Sequence, residues 1–144
     1  MGEKATDTIE IDASVERIRE VILDLETYPE WADGVTSIEV TDRDEQGRPR
    51  DAVFHVDARV FQTTYTLRYD LSDTQAITWK LIDGRDLRQL DGSYTFEKTD
   101  RGVRVIYSLE VDVALPLPGF LKKRGAKHIL DQGLRGLQAR VEQA

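Results

Sequence analysis

Several kinds of chemistry need residues that this chain lacks or has in small number. Its 144 residues include no cysteine, which excludes disulfides, thiolate nucleophiles and cysteine-bound zinc. The two histidines, His55 and His128, leave little material for a transition-metal site, so we expect no metal and no cofactor. No run approaches the roughly 20 apolar residues of a membrane-spanning helix. Residues 1–12, MGEKATDTIEID, lack the apolar segment of a secretory signal, and we expect a cytoplasmic protein.

The overall charge argues against one class of partner. The formal net charge is -7, and a field of this sign repels phosphate backbones, so we expect no nucleic-acid partner. Hydrophobic residues make up 40 % of the chain and charged residues 33 %, which is typical of a globular protein. The sequence has no linker, repeat or low-complexity tract, so the chain is interpreted as one domain, residues 1–144.

Hydrophobic periodicity predicts the order of helices and strands. A first strand is expected at about Thr6–Ile11, followed by a helix over residues 13–25. Pro29 either ends this helix or is the first residue of a second, short helix. From Val35 the period becomes two and predicts six more strands, with Asp83-Gly84 as a hairpin turn. After the sequence LPLPG, a last helix carries one apolar stripe, made of Leu130, Leu134, Leu137 and Val141.

These elements predict an α+β fold in which a curved antiparallel sheet of about seven strands wraps around the last helix. Alternation along the strands gives the sheet a large apolar inner face, which a single narrow helical stripe is too small to fill. We therefore expect a cavity between sheet and helix, with a collapsed core as the alternative. The apolar set is Ile38, Val40, Phe54, Val56, Ala58, Val60, Tyr65, Leu67, Tyr69, Ile77, Trp79, Leu81, Tyr94, Phe96, Val103, Val105, Tyr107, Leu109 and Val111.

Two long stretches carry a resemblance to a known family. IDASVERIREVILDLETYPEWADGVTSIEV, residues 11–40, and LDGSYTFEKTDRGVRVIYSLEVDVALPLPGFLKK, residues 90–123, resemble START-like (SRPBCC) polyketide cyclase/dehydrase and lipid-transport domains. The resemblance implies a helix-grip fold with a hydrophobic tunnel between sheet and helix. Members of the family carry lipids, bind quinones, steroids or plant hormones, cyclise and dehydrate polyketides, or act through protein contacts. It also implies that YPEW, Tyr28–Trp31, lies at one edge of the tunnel, as core filler or as a gate.

The candidate ligand contacts are the aromatic residues of the inner face and one arginine. A buried phenol can orient a ligand carbonyl, but its pKa near 10 makes it a poor base at neutral pH. Arg88 shares parity with Leu90 and could meet a ligand carboxylate, unless a bulge at Gly92 changes the phase. His55 and Asp57 fall on the outer face, so we predict no catalytic residue. The predicted ligand-binding residues are Trp31, Phe54, Tyr65, Tyr69, Trp79, Arg88, Tyr94 and Tyr107.

The sequence favours binding of a hydrophobic small molecule or lipid for transport, sequestration or presentation. One alternative is a polyketide cyclase or dehydrase that uses the same cavity, and a second is a protein-interaction module with a filled cavity. A basic cluster at the start of the last helix adjoins Phe120 and Leu121 and could dock transiently on an anionic membrane or an acidic protein, or be a solvated turn. The cluster consists of Lys122, Lys123, Arg124 and Lys127.

Overall fold

The computed structural model describes residues 3–57, 62–114, 116 and 118–143. Seven strands, two α-helices and one 3₁₀ helix follow one another along this part of the chain. In order, they are β1 (Glu3–Ile11), α1 (Val15–Leu23), the 3₁₀ helix (Leu25–Glu30), β2 (Val35–Arg43), β3 (Pro49–Asp57), β4 (Gln62–Asp70), β5 (Ala76–Gly84), β6 (Leu87–Lys98), β7 (Val103–Val113) and α2 (Gly119–Glu142).

The strands form one antiparallel sheet in the order β1-β7-β6-β5-β4-β3-β2. β2 to β7 are a meander, and β1 pairs with β7, from Glu3 opposite Val111 to Ile11 opposite Val103. α2 packs on β1 and β7. The predicted sheet of seven strands wrapped around a C-terminal helix is therefore confirmed, and the arrangement is the helix-grip fold.

α1 forms because its sequence combines a start signal with one apolar face. Ser14 is the N-cap, and its Oγ accepts a hydrogen bond of 3.1 Å from the backbone N–H of Arg17. Val15, Ile18 and the following apolar residues at helical spacing are buried. Arg19 ties the helix to the sheet, since its Nη1 donates to the backbone oxygen of Ala76 at 3.0 Å.

The end of α1 differs from the prediction. α1 stops at Leu23, well before Pro29, and Pro29 lies inside the 3₁₀ helix rather than at its first position. The backbone N–H of Asp24 bonds to the carbonyls of both Glu20 and Val21, which tightens the last turn toward 3₁₀ geometry. The break therefore originates in the local backbone at Asp24 and not in the proline.

The predicted Asp83-Gly84 turn is also displaced. Gly84 is the last residue of β5, where it lies opposite Tyr65 of β4, and residues 85 and 86 make the connection to β6. A Cβ at Gly84 would lie 3.2 Å from the Cβ of Tyr65. This glycine thus allows a close approach between strands, where the sequence pattern suggested a turn.

The core lies between the inner face of the sheet and the stripe of α2. Ile77 and Val105 on the sheet are fully buried, as is Leu137 on α2. The predicted α2 stripe is confirmed and begins earlier, at Ala126. The predicted inner-face residues all pack in the core, apart from Ala58 and Val60, which lie outside the described residues.

Candidate functional site

All five tyrosines of the chain lie in the interior. Tyr28, Tyr69, Tyr94 and Tyr107 are less than one-tenth exposed, and the partly buried Tyr65 packs against the same core. A phenol carries a hydroxyl that usually needs a partner when it is buried. Gathering every tyrosine inside therefore gives an otherwise apolar interior a set of hydrogen-bonding groups.

One group of aromatic rings, which we call the first aromatic cluster, joins the 3₁₀ helix to β3 and β4. It contains Tyr28, Trp31, Phe54 and Tyr65. The ring centroids of Tyr28 and Trp31 are 4.6 Å apart, those of Tyr28 and Phe54 are 6.4 Å apart, and Phe54 stacks on Tyr65 at 5.2 Å. The rings of YPEW are thus inserted between the sheet and α2.

The second aromatic cluster spans β4 to β7 and contains Tyr69, Trp79, Tyr94 and Tyr107. Trp79 is central, with its ring centroid 6.0 Å from Tyr69, 5.3 Å from Tyr94 and 5.8 Å from Tyr107. Tyr94 and Tyr107 stack at 4.5 Å. Gly92 makes room for this packing, since a Cβ there would lie 2.4 Å from Cζ2 of Trp79.

The ring contacts of the described residues fall within each cluster. Among the described residues no ring contact joins one cluster to the other. Their phenols are nevertheless close enough to interact. Burial raises the pKa of Tyr69 well above its usual value, and the phenols of Tyr28, Tyr65 and Tyr107 raise it further. The phenols of the two clusters therefore lie near one another in the interior.

α2 covers both clusters with glycines. A Cβ at Gly133 would lie 3.1 Å from Cε2 of Tyr107, in the second cluster. A Cβ at Gly136 would lie 2.9 Å from the backbone oxygen of Trp31 and 3.2 Å from its ring, in the first. The absence of side chains at these two positions lets α2 approach the aromatic rings directly. The sequence indicates such close packing, because a glycine inside a helix costs about 1 kcal/mol relative to alanine and is expected there when a neighbour leaves no room for a side chain.

The interior phenols are protonated at neutral pH. Burial raises the pKa of Tyr107 to about 12, a rise that its hydrogen bond with Tyr94 partly offsets. Burial also raises the pKa of Tyr28 and Tyr65 far above the usual range. These groups can therefore donate hydrogen bonds, and they cannot act as bases near neutral pH.

Two polar atoms of the first cluster have different surroundings. The Tyr28 hydroxyl donates to the backbone oxygen of Ile22, at the end of α1. The indole Nε1 of Trp31 is buried and has no hydrogen-bond partner among the residues that the structure describes. Tyr28 is thus held by the fold, whereas Trp31 keeps a donor that the described protein groups do not use.

The structure places seven of the eight predicted contact residues in these two clusters and places the eighth elsewhere. The side chain of Arg88 is exposed, so its predicted inward orientation is wrong. The register of β6 on β7 shifts between Leu87 and Gln89, which pair with Val113 and Asp112. Arg88 is the extra residue of this irregularity, so the phase changes there and not at Gly92.

The described charged groups lie away from the inner face. His55 is partly exposed, with its Nδ1 3.1 Å from the Thr64 hydroxyl and its Nε2 3.6 Å from Glu39. Asp112, the one buried carboxylate of the described residues, alternates with Val111 and Val113, which pack in the core, so it points away from them. The described residues contain no group of histidine and carboxylate side chains that could hold a metal ion.

One surface groove lies mainly on the outer face of the sheet. It has a volume of about 930 Å³ and is bordered by the β2–β3 turn and by exposed side chains of β4 and β5 such as Arg68 and Lys80. Tyr69 and Trp79 are the only predicted contact residues that border it. A second groove of about 560 Å³ lies near His55 and Asp86.

Comparison with known sequences decides the family. The sequence model of the family described as polyketide cyclase / dehydrase and lipid transport matches residues 3–142, nearly the whole chain. The chain belongs to this polyketide cyclase/dehydrase and lipid-transport family. The resemblance seen in the sequence is thereby confirmed. No curated protein matches the chain closely enough to add a more specific relationship.

Solved structures share the fold of this family member. A START superfamily protein from Mycobacterium smegmatis is 24 % identical, with 97 % of each chain covered and a TM-score of 0.90. The Zhui aromatase/cyclase from Streptomyces sp. R1128 is 13 % identical, with 99 % of this chain and 94 % of the other covered and a TM-score of 0.81. A STAR-related lipid transfer protein from Xanthomonas axonopodis is 15 % identical, with 97 % and 86 % covered and a TM-score of 0.73. At these identities the similarity shows the helix-grip fold alone.

Within the described part of this family member, neither helix is both long enough and apolar enough to cross a membrane.

Proposed function

We propose that this protein binds a hydrophobic small molecule or lipid between the two aromatic clusters, beneath α2, and carries, sequesters or presents it. The observations that support this most are the burial of all five tyrosines in the interior and the buried Nε1 of Trp31, which has no hydrogen-bond partner among the described residues. Apolar burial would provide most of the affinity, and the hydroxyls would orient a ligand oxygen. The family includes lipid-transport proteins, in agreement with such a role.

The proposed contacts are the seven aromatic residues of the two clusters that the sequence predicted. Trp31 has the most specific proposed part, because its buried Nε1 is a donor without a partner among the described residues. A ligand acceptor that reaches this atom would replace a missing hydrogen bond, whereas an apolar group there would leave it unsatisfied. The proposal thus favours ligands with at least one oxygen acceptor.

A cyclase or dehydrase reaction in the same region is the alternative that the family name supports. Such a reaction needs a group that accepts a proton from the substrate. The interior phenols have raised pKa values and stay protonated, and Asp112 and His55 lie outside the inner face. Binding without chemistry is therefore the better supported function.

The experiment that tests the proposal compares wild type with a variant in which the region beneath α2 is obstructed. Native mass spectrometry identifies any molecule that co-purifies, and a panel of hydrophobic dyes gives affinities. Gly133→Leu places a large side chain against the ring of Tyr107 and should weaken dye binding at least tenfold, since it displaces a proposed contact residue. Gly125→Leu is the matched control, because a Cβ at Gly125 meets nothing within 4 Å.

Two outcomes would contradict the proposal. One is a wild-type protein that is folded, carries no ligand and takes up no dye of the panel. The other is equal binding by Gly133→Leu and Gly125→Leu when circular dichroism shows both variants to be folded. Tyr94→Phe should, in contrast, weaken binding of an oxygen-bearing dye only about two- to tenfold, as expected for one hydrogen bond.

We also propose that the basic cluster at the start of α2 is where the protein meets an anionic partner.

A further inference from the structure

The first turns of α2 expose apolar and basic side chains together. We call this surface the basic tip and define it by Phe120, Leu121, Lys123, Arg124 and Lys127. Phe120 is 66 % exposed and Leu121 is 39 % exposed, and all three cations are exposed. Three of the four exposed large hydrophobic residues in the described chain are Phe120, Leu121 and the nearby Ile129. Exposed apolar surface is therefore concentrated at this end of α2.

The basic tip extends beyond the body of the protein. The first buried residue of α2 is Ala126, and the described side chains before it are all exposed. Seven residues, Gly119 to Gly125, precede Ala126, which corresponds to about 10 Å of helix at 1.5 Å per residue. A Cβ at Gly125 would meet nothing within 4 Å, which agrees with a helix end that contacts no other element there.

The charge of this region is opposite to that of the rest of the chain. Residues 113–130 contain Lys122, Lys123, Arg124 and Lys127 and no Asp or Glu. Because the whole chain has a net charge of -7, the remainder has -7 - 4 = -11. Lys123, Arg124 and Lys127 form no ion pair with a described residue.

Several other cations of the protein have partners within the fold. Arg43 pairs with Glu26 at 2.8 Å, Arg68 with Asp51 at 2.9 Å and Arg140 with Glu30 at 3.0 Å. What distinguishes the basic tip is that its cations, which have no ion-pair partner among the described residues, lie beside two exposed apolar side chains, Phe120 and Leu121. This combination points to an anionic surface outside the protein.

We propose that the basic tip docks this protein on an anionic membrane surface. Phe120 and Leu121 would enter the headgroup region, and the lysines and arginine around them would contact lipid phosphates and carboxylates. Each such cation strengthens binding by about fivefold near an anionic bilayer. The remaining acidic surface is repelled by the anionic lipids, which keeps membrane binding reversible and favours an orientation with the tip toward the lipid.

A bilayer fits the tip better than an acidic protein does. A stable protein interface buries about 800 Å² on each partner, which requires a broad complementary surface. The basic tip is one helix end with a ring of Phe120 that is two-thirds exposed at its outermost turn. A bilayer can accept such a single projecting apolar side chain between its headgroups. Docking goes beyond the proposed ligand binding and does not depend on it, because no residue of the tip belongs to either aromatic cluster.

The test is sedimentation of the full chain with vesicles, with and without an anionic lipid. Wild type should bind vesicles of phosphatidylcholine with about 30 % phosphatidylserine at about 0.1 M salt, and should not bind pure phosphatidylcholine. Lys123→Gln/Arg124→Gln/Lys127→Gln should lose at least tenfold in binding. Phe120→Ser, which leaves the charge unchanged, should lose about three- to tenfold.

The matched control removes three cations elsewhere. Lys80→Gln/Lys98→Gln/Arg101→Gln changes the net charge equally, and these residues are exposed and form no ion pair with a described residue. This control variant should bind the anionic vesicles within about twofold of wild type. Circular dichroism confirms that each variant is folded.

Three results would overturn the proposal. The first is a folded wild type that does not sediment with anionic vesicles. The second is an equal loss in the tip and control variants, which would indicate general electrostatics. The third is binding to soluble polyglutamate that needs the tip cations but is unaffected by Phe120→Ser, together with no vesicle binding, which would assign the tip to an acidic protein instead.

Discussion

Glycine replacements at the residue scale separate close packing from open space within one helix. Gly125 and Gly136 both lie in α2, and alanine at either site removes the same unfavourable glycine propensity, about 1 kcal/mol. At Gly125 the new methyl group meets nothing, so Gly125→Ala should raise the free energy of unfolding by about 1 kcal/mol. At Gly136 it lies 2.9 Å from the backbone oxygen of Trp31, and overpacking should cost about 1–3 kcal/mol.

Gly136→Ala should therefore be about 1–3 kcal/mol less stable than Gly125→Ala, as measured by urea unfolding with equal slopes for both variants. Equal stabilisation by the two replacements would contradict the close approach of α2 to the backbone of Trp31.

The residue scale also shows how much of the site the sequence predicts. Alternation placed Tyr65, Trp79 and Tyr107 in the interior, because side-chain direction in a strand follows directly from parity. Parity failed at Arg88, since a shift in register between Leu87 and Gln89 leaves no hydrophobic mark in the sequence. Glycines inside a helix indicate close packing in the sequence, but the rings that Gly133 and Gly136 contact depend on how α2 packs across the sheet.

At the scale of elements, a cross-strand ion pair on the outer face connects β3 and β4. Arg68 binds Asp51 through both carboxylate oxygens, at 2.9 and 3.0 Å, and this hydrogen-bonded pairing lowers the pKa of Asp51 in the folded protein. Because the carboxyl pKa is lower in the folded than in the unfolded protein, the ion pair stabilises the fold at pH values above the unfolded-state pKa, near 4. This stabilisation is lost as the pH falls through the folded-state pKa. The Arg68 side chain is 57 % exposed, so solvent screening limits the effect.

Asp51→Asn should thus lower the free energy of unfolding by about 0.5–1 kcal/mol at neutral pH, and the difference from wild type should disappear at acid pH. Asp42→Asn is a matched control, since Asp42 and Arg50 are 3.8 Å apart and both half exposed. Its effect should be smaller, within about 0.3 kcal/mol. A penalty for Asp51→Asn that persists below the unfolded carboxyl pKa would indicate a packing role for Asp51.

Elements whose position depends on local pattern were predicted better than those that depend on a neighbour. The seven strands and the stripe of α2 follow from apolar spacing and are confirmed. The displaced hairpin at Gly84 has a tertiary cause, since the glycine packs closely on Tyr65 of the neighbouring strand β4. α1 ends at the local backbone of Asp24, whereas the sequence pattern suggested an end at Pro29.

At the scale of the whole molecule, the burial of every tyrosine makes the fold sensitive to alkali. An exposed phenol in the unfolded chain ionises near pH 10, whereas burial raises the pKa of Tyr107 to about 12 and also raises the pKa of each of the other four tyrosines. The folded state therefore holds more protons than the unfolded state above pH 10. Stability is complete below that pH and falls as the pH rises.

The slope of this loss should be steep because the five phenols act together. Each one contributes up to about 1.4 kcal/mol per pH unit, so five contribute about 7 kcal/mol per unit against a total stability of about 5–15 kcal/mol. We expect cooperative unfolding before pH 12, with far-ultraviolet circular dichroism and phenolate absorbance changing in one transition. Phenolate absorbance that rises near pH 10 while the circular dichroism stays native would mean that the tyrosines are accessible in the folded protein, and would contradict both this prediction and the interior site built from them.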